Sequence, residues 1–85
     1  MSNIGIKPNN EIFEFGKLII DVEYRDFVDL GYRKQLIKAE QLRDMAFHEI
    51  RRKVLHSKEF NMEWNNENIR NVKKALLTYA KSKIQ

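Results

Sequence analysis

The strongest constraint on the fold is a run of apolar residues at helical spacing between positions 29 and 56. At about 100° per residue these side chains fall within an arc of about 140°, the width of an ordinary amphipathic stripe. Asp26 and Asp29 can both accept an orphan backbone N–H at a helix start, and we favour Asp29 as the N-cap. We therefore predict one helix from Asp29 to about His56, roughly 40 Å long, as the spine of the molecule. Its stripe comprises Tyr32, Leu36, Ala39, Leu42, Ala46, Phe47, Ile50 and Val54.

The segment before this helix predicts a β-hairpin over residues 11–24. Gly16-Lys17 has the glycine-first form of a type II′ two-residue turn. With that turn, the apolar side chains separate onto one sheet face, as a half-buried hairpin requires. The apolar face comprises Phe13, Phe15, Leu18, Ile20, Val22 and Tyr24, and the opposite face carries Ile12, Glu14, Ile19, Asp21 and Glu23.

The segment after the long helix predicts a short extended stretch and a second helix. Phe60, Met62 and Trp64 alternate with polar residues, which is typical of extended chain. Asn65 or Asn66 then caps a helix over about 66–83. The expected fold is α+β and predominantly helical: a hairpin, one long helix, an extended segment and a C-terminal helix. We expect residues 1–10 to be a flexible segment and residues 11–85 to form a single small domain.

Size and composition limit the classes of protein that are possible. With 85 residues, 42% hydrophobic content and no cysteine, the chain has one thin core without disulfides or thiolate metal sites. Its longest aliphatic run, Leu18-Ile19-Ile20, is far shorter than the roughly 20 residues that a bilayer span needs. We expect a soluble, cytoplasmic protein without a membrane partner.

The sequence lacks a catalytic constellation. The three glycines are isolated, which excludes a glycine-rich phosphate loop. The sequence has no His-Glu-x-x-His motif, because His48-Glu49 is followed by Ile50-Arg51-Arg52. Glu40, Asp44 and His48 follow an i, i+4, i+8 spacing that can share a divalent metal, but a solvated row is the favoured interpretation. We predict that the protein is not an enzyme and uses neither a metal nor a cofactor.

Charge is the better indicator of function. The net charge of +4 combines −3 in residues 1–30, +5 in residues 31–58 and +2 in residues 59–85. Basic residues line the polar face of each predicted helix, where they could contact phosphates or an acidic protein. This candidate binding surface comprises Lys34, Lys38, Arg52, His56, Arg70, Lys74 and Lys81.

A second set of residues is apolar but falls outside the predicted core faces. Such residues suit an interface with a protein partner or with a second copy of the chain. The set comprises Ile12, Ile19, Ile37, Leu55 and Leu77.

These features together favour binding over chemistry. We predict a small, non-enzymatic interaction or regulatory protein that binds a macromolecular partner, in the first place another protein. The alternative is a nucleic-acid-binding module that uses the basic residues of its two helices. We also expect self-association, as a homodimer.

Overall fold

The computed structural model describes residues 6–85, and all regular structure in that range is helical. Helix α1 spans Asn10–Asp29, α2 spans Ala39–Leu55 and α3 spans Asn66–Ile84. A single 3₁₀ turn, Lys34–Leu36, lies in the connection between α1 and α2. The body is elongated, with extents of 51 × 22 × 17 Å.

The three helices form an up-down-up bundle. Asn68, near the start of α3, contacts Ile6 just before α1, and Lys83, near the end of α3, pairs with Asp21 of α1 at 3.1 Å. Helices α1 and α3 are therefore parallel. Helix α2 runs the opposite way, since the ammonium of Lys53 near its end lies 5.4 Å from the ring centroid of Phe15 in the first half of α1.

The core is built from residues spaced four apart on each helix. This spacing places one side chain per turn on the same face, so each helix contributes a narrow buried stripe. Burying a large aliphatic side chain contributes about 1.5–3 kcal/mol, and the three stripes pack against one another. They are Ile12, Gly16 and Ile20 on α1; Leu42, Ala46, Ile50 and Val54 on α2; and Val72, Leu76 and Ala80 on α3.

The predicted β-hairpin, and with it the α+β class, is wrong. Residues 11–24 lie inside α1, and residues 6–85 contain no strand. Gly16 is not a turn residue: a Cβ there would lie 2.5 Å from Leu76 Cδ2 and 3.1 Å from Ile50 Cδ1. Glycine therefore allows all three helices to approach closely at this level. Tertiary packing overrides the local β-propensity of the aromatic and β-branched residues.

The single long helix is also wrong, because the chain is interrupted between α1 and α2. Asp29 is the last residue of α1 rather than an N-cap. Gly31 has a φ of 91°, in the left-handed region that glycine adopts without a Cβ penalty, and the chain turns back there. Tyr32 and Leu36, which were assigned to the apolar stripe, lie on the connection and are exposed.

The prediction for the C-terminal helix is confirmed almost to the residue. The Asn65 side chain caps α3 by accepting a 2.8 Å hydrogen bond from the Asn68 backbone N–H. The segment before it, residues 57–65, has no regular structure and is not part of a sheet, so the predicted extended stretch is not a strand. Its three large side chains turn inward: Met62 is buried, Phe60 contacts Phe15, and Trp64 contacts Phe47.

One buried polar residue ties the loops at this end together. The Asn68 side-chain amide donates to the Ile6 carbonyl at 2.9 Å and to the Glu63 carbonyl at 2.8 Å. The Glu63 N–H donates to the same Ile6 carbonyl at 3.1 Å. The segment before α1 is thereby fixed against the start of α3. Of the segment expected to be flexible, residues 1–5 lie outside the described residues.

Candidate functional site: a cationic groove between α2 and α3

The seven predicted basic residues are distributed over three regions of the surface. Lys34 and Lys38 lie on the α1–α2 connection, whereas Arg52 and His56 lie at the opposite end of α2. The interruption after α1 therefore removes the single helix on which these four were expected to form one row. The other three, Arg70, Lys74 and Lys81, are exposed within an arc of about 40° on the outer face of α3.

A groove between α2 and α3 gathers two of these residues with two further cations. It has a volume of about 500 Å³, and we call it the α2–α3 groove. Arg43 comes from α2, while Arg70, Lys73 and Lys74 come from α3. Its apolar part is formed by Ile69 and Leu77, both half-buried. The lining residues are Arg43, Asn66, Ile69, Arg70, Lys73, Lys74 and Leu77.

Helical periodicity explains why charge and apolar surface meet here. On α3, Arg70, Lys73, Lys74 and Leu77 are three or four residues apart and therefore neighbours on one side of the helix. The core stripe of Val72, Leu76 and Ala80 fixes the rotation of α3, and this side then turns outward and toward α2.

An aromatic pair borders the groove. The Lys73 ammonium lies 4.8 Å from the ring centroid of Phe47, within the range of a cation–π contact. The Phe47 and Trp64 rings are 5.2 Å apart between centroids and are inclined by 31°. This contact holds Lys73 beside the groove.

Most of the groove's positive charge is not neutralised by ion pairs among the described residues 6–85. Arg43 pairs with Asp44, with 2.9 Å between a guanidinium nitrogen and Oδ1. Arg70, Lys73 and Lys74 take part in none of the ion pairs formed within residues 6–85. The acidic helix α1 contacts α3 at a different place. There the Asp21 carboxylate accepts a hydrogen bond from the Tyr79 hydroxyl and forms an ion pair with the Lys83 ammonium. The groove is therefore a cationic site above apolar side chains.

A second basic cleft, of about 310 Å³, lies at the C-terminal end of α2 and contains Arg52 and His56. Two of its three Lys and Arg side chains are compensated: Arg52 lies 3.5 Å from Glu49, and Lys53 lies 3.0 Å from Glu59, whereas Arg51 is in no ion pair within residues 6–85. The Lys53 hydrogen bond holds the pKa of Glu59 below its usual value. Cations at a helix C-terminus also stabilise the helix, because they interact favourably with the negative end of its dipole. These roles account for Arg52, Lys53 and Glu59 without a ligand.

The predicted partner surface is not one surface in the structure. Ile12 and Ile37 are only 0% and 4% exposed, and both belong to the core. Ile12 faces inward because its segment is helical, so the sheet face to which it was assigned does not exist. Ile19 is half-buried against the core, Leu55 is exposed near the end of α2, and Leu77 lies in the α2–α3 groove.

The structure also contains features that sequence reasoning missed. Arg43 and Lys73 complete the cationic groove; the spacing of Lys73 to Arg70 and Leu77 signals its place, whereas Arg43 depends on how α2 meets α3. Leu18, assigned to the apolar sheet face, is 58% exposed on α1.

Glu40, Asp44 and His48 are exposed on α2. Across residues 6–85, the structure brings together no group of three histidine, aspartate or glutamate side chains that could hold a metal ion. None of the helices in this range combines the length and the apolar content that a bilayer crossing needs. Comparison with protein-family models, with curated proteins and with solved structures finds no match to this chain.

Proposed function

We propose that this chain is a non-enzymatic interaction module that binds an acidic helical segment of a partner protein in the α2–α3 groove. The supporting observation is the coexistence of three uncompensated cations with the apolar side chains of Ile69 and Leu77. An amphipathic helix with acidic flanks supplies both complements, since its apolar face fills the groove and its carboxylates meet the rim.

A protein segment suits this site better than a phosphate backbone. Phosphate contacts require cations but gain little from aliphatic side chains between them. The aromatic residue beside the groove, Phe47, is already engaged with Trp64 and Lys73, and is not offered as a stacking platform for bases. Nucleic-acid binding through the basic residues remains the alternative, and the following experiment separates the two.

The test uses a synthetic helix of about 16 residues, ~24 Å long, with leucines at i, i+4 and i+7 and glutamates on both flanks. Its binding is measured by fluorescence anisotropy, beside a scrambled peptide of equal composition and a DNA duplex. We expect the amphipathic peptide to bind with a Kd on the order of 10 μM, and the scrambled peptide to bind much more weakly.

Two charge-reversal pairs distinguish the groove from general positive charge. Arg70→Glu with Lys74→Glu should weaken peptide binding at least about tenfold. The matched control, Arg33→Glu with Lys34→Glu, makes the same charge change on the α1–α2 connection and should alter it less than about twofold. Equal losses from both pairs would contradict the groove.

Leu77→Ser completes the design, because it removes apolar surface without changing charge. We expect it to weaken peptide binding while leaving any DNA binding unchanged. If the duplex binds more tightly than the peptide, and binding falls steeply with salt in proportion to the number of cations removed, the nucleic-acid alternative is correct.

A further inference from the structure

A second surface on α1 is covered by α3 only at Asp21, where Tyr79 and Lys83 reach it. Because Lys83, near the end of α3, is level with Asp21, the last two turns of α1 extend beyond α3. A shallow groove of about 510 Å³ runs along α1 from Leu18 to Val28, and Lys83 of α3 forms part of its lining. Leu18 and Val28, which line it, are 58% and 46% exposed.

Four residues of this face follow the spacing of a coiled-coil seam. Leu18, Asp21, Arg25 and Val28 are separated by three, four and three residues, the spacing of positions a and d. Their order along the helix is apolar, acidic, basic, apolar. We call these four residues the α1 seam.

This order is complementary to itself when the helix direction is reversed. If Leu18 lies opposite Val28 of an antiparallel second copy, Asp21 lies opposite Arg25 of that copy. A two-fold axis repeats both pairs, so the seam forms two apolar contacts and two ion pairs. A parallel arrangement would instead place Asp21 near Asp21 and Arg25 near Arg25.

Within the chain, the two charged residues are available for such pairing. Arg25 is exposed and takes part in no ion pair within residues 6–85. The contacts that Asp21 makes with Tyr79 and Lys83 both use its Oδ1 atom. Those contacts hold the carboxylate in place on α1, and its Oδ2 can accept from the Arg25 guanidinium of a second copy.

We propose that the protein forms an antiparallel homodimer through the α1 seam. The occupant of the exposed α1 face is thus a second copy of this chain, and the residues that set its register are Leu18, Asp21, Arg25 and Val28. The seam lies on α1 and the proposed peptide groove lies between α2 and α3, so either proposal can fail without the other.

The first test is the mass in solution, by light scattering and sedimentation, from about 10 μM to about 1 mM. With four seam residues from each copy, this interface is smaller than that of a typical stable protein complex. We therefore expect a Kd on the order of 100 μM. Leu18→Glu and Arg25→Glu should each weaken the dimer at least about tenfold, whereas Arg33→Glu on the α1–α2 connection should not. Circular dichroism of each variant serves as the control for folding.

The second test exploits the absence of cysteine from the sequence. Leu18→Cys with Val28→Cys should form interchain disulfides under mild oxidation, giving a band of twice the mass on a non-reducing gel. An intrachain bond is excluded, because ten residues of helix separate the two positions by about 15 Å. Leu18→Cys alone should cross-link poorly, since Leu18 faces Val28 of the second copy.

Each contrary result has a definite meaning. A constant mass of one chain at all concentrations overturns the dimer. Efficient cross-linking by Leu18→Cys alone overturns the antiparallel register. A dimer that survives both Leu18→Glu and Arg25→Glu assembles through another surface and overturns the seam.

Discussion

The Tyr79 hydroxyl donates a 2.7 Å hydrogen bond to Oδ1 of Asp21, and this bond joins the parallel helices α3 and α1. The same Asp21 atom receives the Lys83 ammonium at 3.1 Å, while the Lys17 ammonium lies 5.6 Å from the Tyr79 ring centroid. Two effects raise the pKa of Tyr79 to about 12: the hydrogen bond to Asp21, which is the larger, and the burial of the hydroxyl.

This relationship predicts a specific loss of stability in alkali. The pKa of Tyr79 is higher in the folded state than its ordinary value of 10.0, so its contribution is complete below pH 10 and is lost as the pH rises toward about 12. Tyr79→Phe should lower the free energy of unfolding by about 1 kcal/mol near neutral pH. The variant should also lose less stability than the natural protein between pH 10 and about 12.

Urea denaturation at a series of pH values measures both effects. The difference in tyrosinate absorbance between the natural protein and Tyr79→Phe reports the titration of this residue alone. A Tyr79 that titrates at its ordinary pKa would show that the bond to Asp21 is not formed.

Gly16→Val should destabilise the bundle by about 2–3 kcal/mol. The added Cβ would meet Leu76 and Ile50 in the core, and overpacking of this kind forces side chains out of favourable rotamers. Glu14→Val is the control, because it places the same residue in α1 at an exposed position. Thermal melting followed by far-UV circular dichroism measures the loss; equal effects of the two variants would argue against a close approach at Gly16.

Asn68→Ala should lower the free energy of unfolding by about 2 kcal/mol, because the Ile6 and Glu63 carbonyls both lose the buried amide that donates to them. Asn68→Asp should cost more, since an acceptor would replace the donating amide. The control is Asn71→Ala on the exposed side of the same helix, which we expect to change stability by less than about 0.5 kcal/mol. Chemical denaturation compares the three variants, and an unchanged free energy of unfolding for Asn68→Ala would show that these hydrogen bonds contribute nothing to stability.

Lys58→Gly should raise the free energy of unfolding by about 0.5 kcal/mol. Lys58 has a φ of 57°, which costs a residue with a Cβ about 1–2 kcal/mol and costs glycine little. The greater entropy of glycine in the unfolded chain offsets part of that gain. Ser57→Gly, one position earlier, gains no such relief and should lower stability; a decrease for both variants would contradict the prediction.

The contrast between α3 and α1 shows what the sequence could predict. Helix α3 has a capping residue, Asn65, and a single apolar stripe, and its bounds follow from these two signals. Helix α1 carries both periodicities at once: Phe13, Phe15, Leu18 and Ile20 suit a sheet face, while Ile12, Gly16 and Ile20 suit a helix. The choice between them depends on Leu76 and Ile50, which are distant in sequence and meet Gly16 only in the folded chain.

The candidate site was predictable to a similar degree. Arg70 and Lys74 followed from the period of α3 alone. The contribution of Arg43 follows from the register between α2 and α3, which no local pattern specifies. Ile12 and Ile37 were misassigned because the hairpin and the uninterrupted helix placed them on faces that the bundle does not have.

The hydrogen bond between Asn68 and Ile6 has a consequence for the order of events during synthesis. This bond spans 62 residues, so at about 5–20 residues per second the two partners leave the ribosome's active site roughly 3–12 seconds apart. Once α1 and α2 have been made, they lack the third wall of the core until α3 emerges, and the aliphatic side chains that α3 covers stay accessible to water and to chaperones. The native bundle is therefore reached only after α3 has emerged, and translation speed sets how long this chain is vulnerable to aggregation.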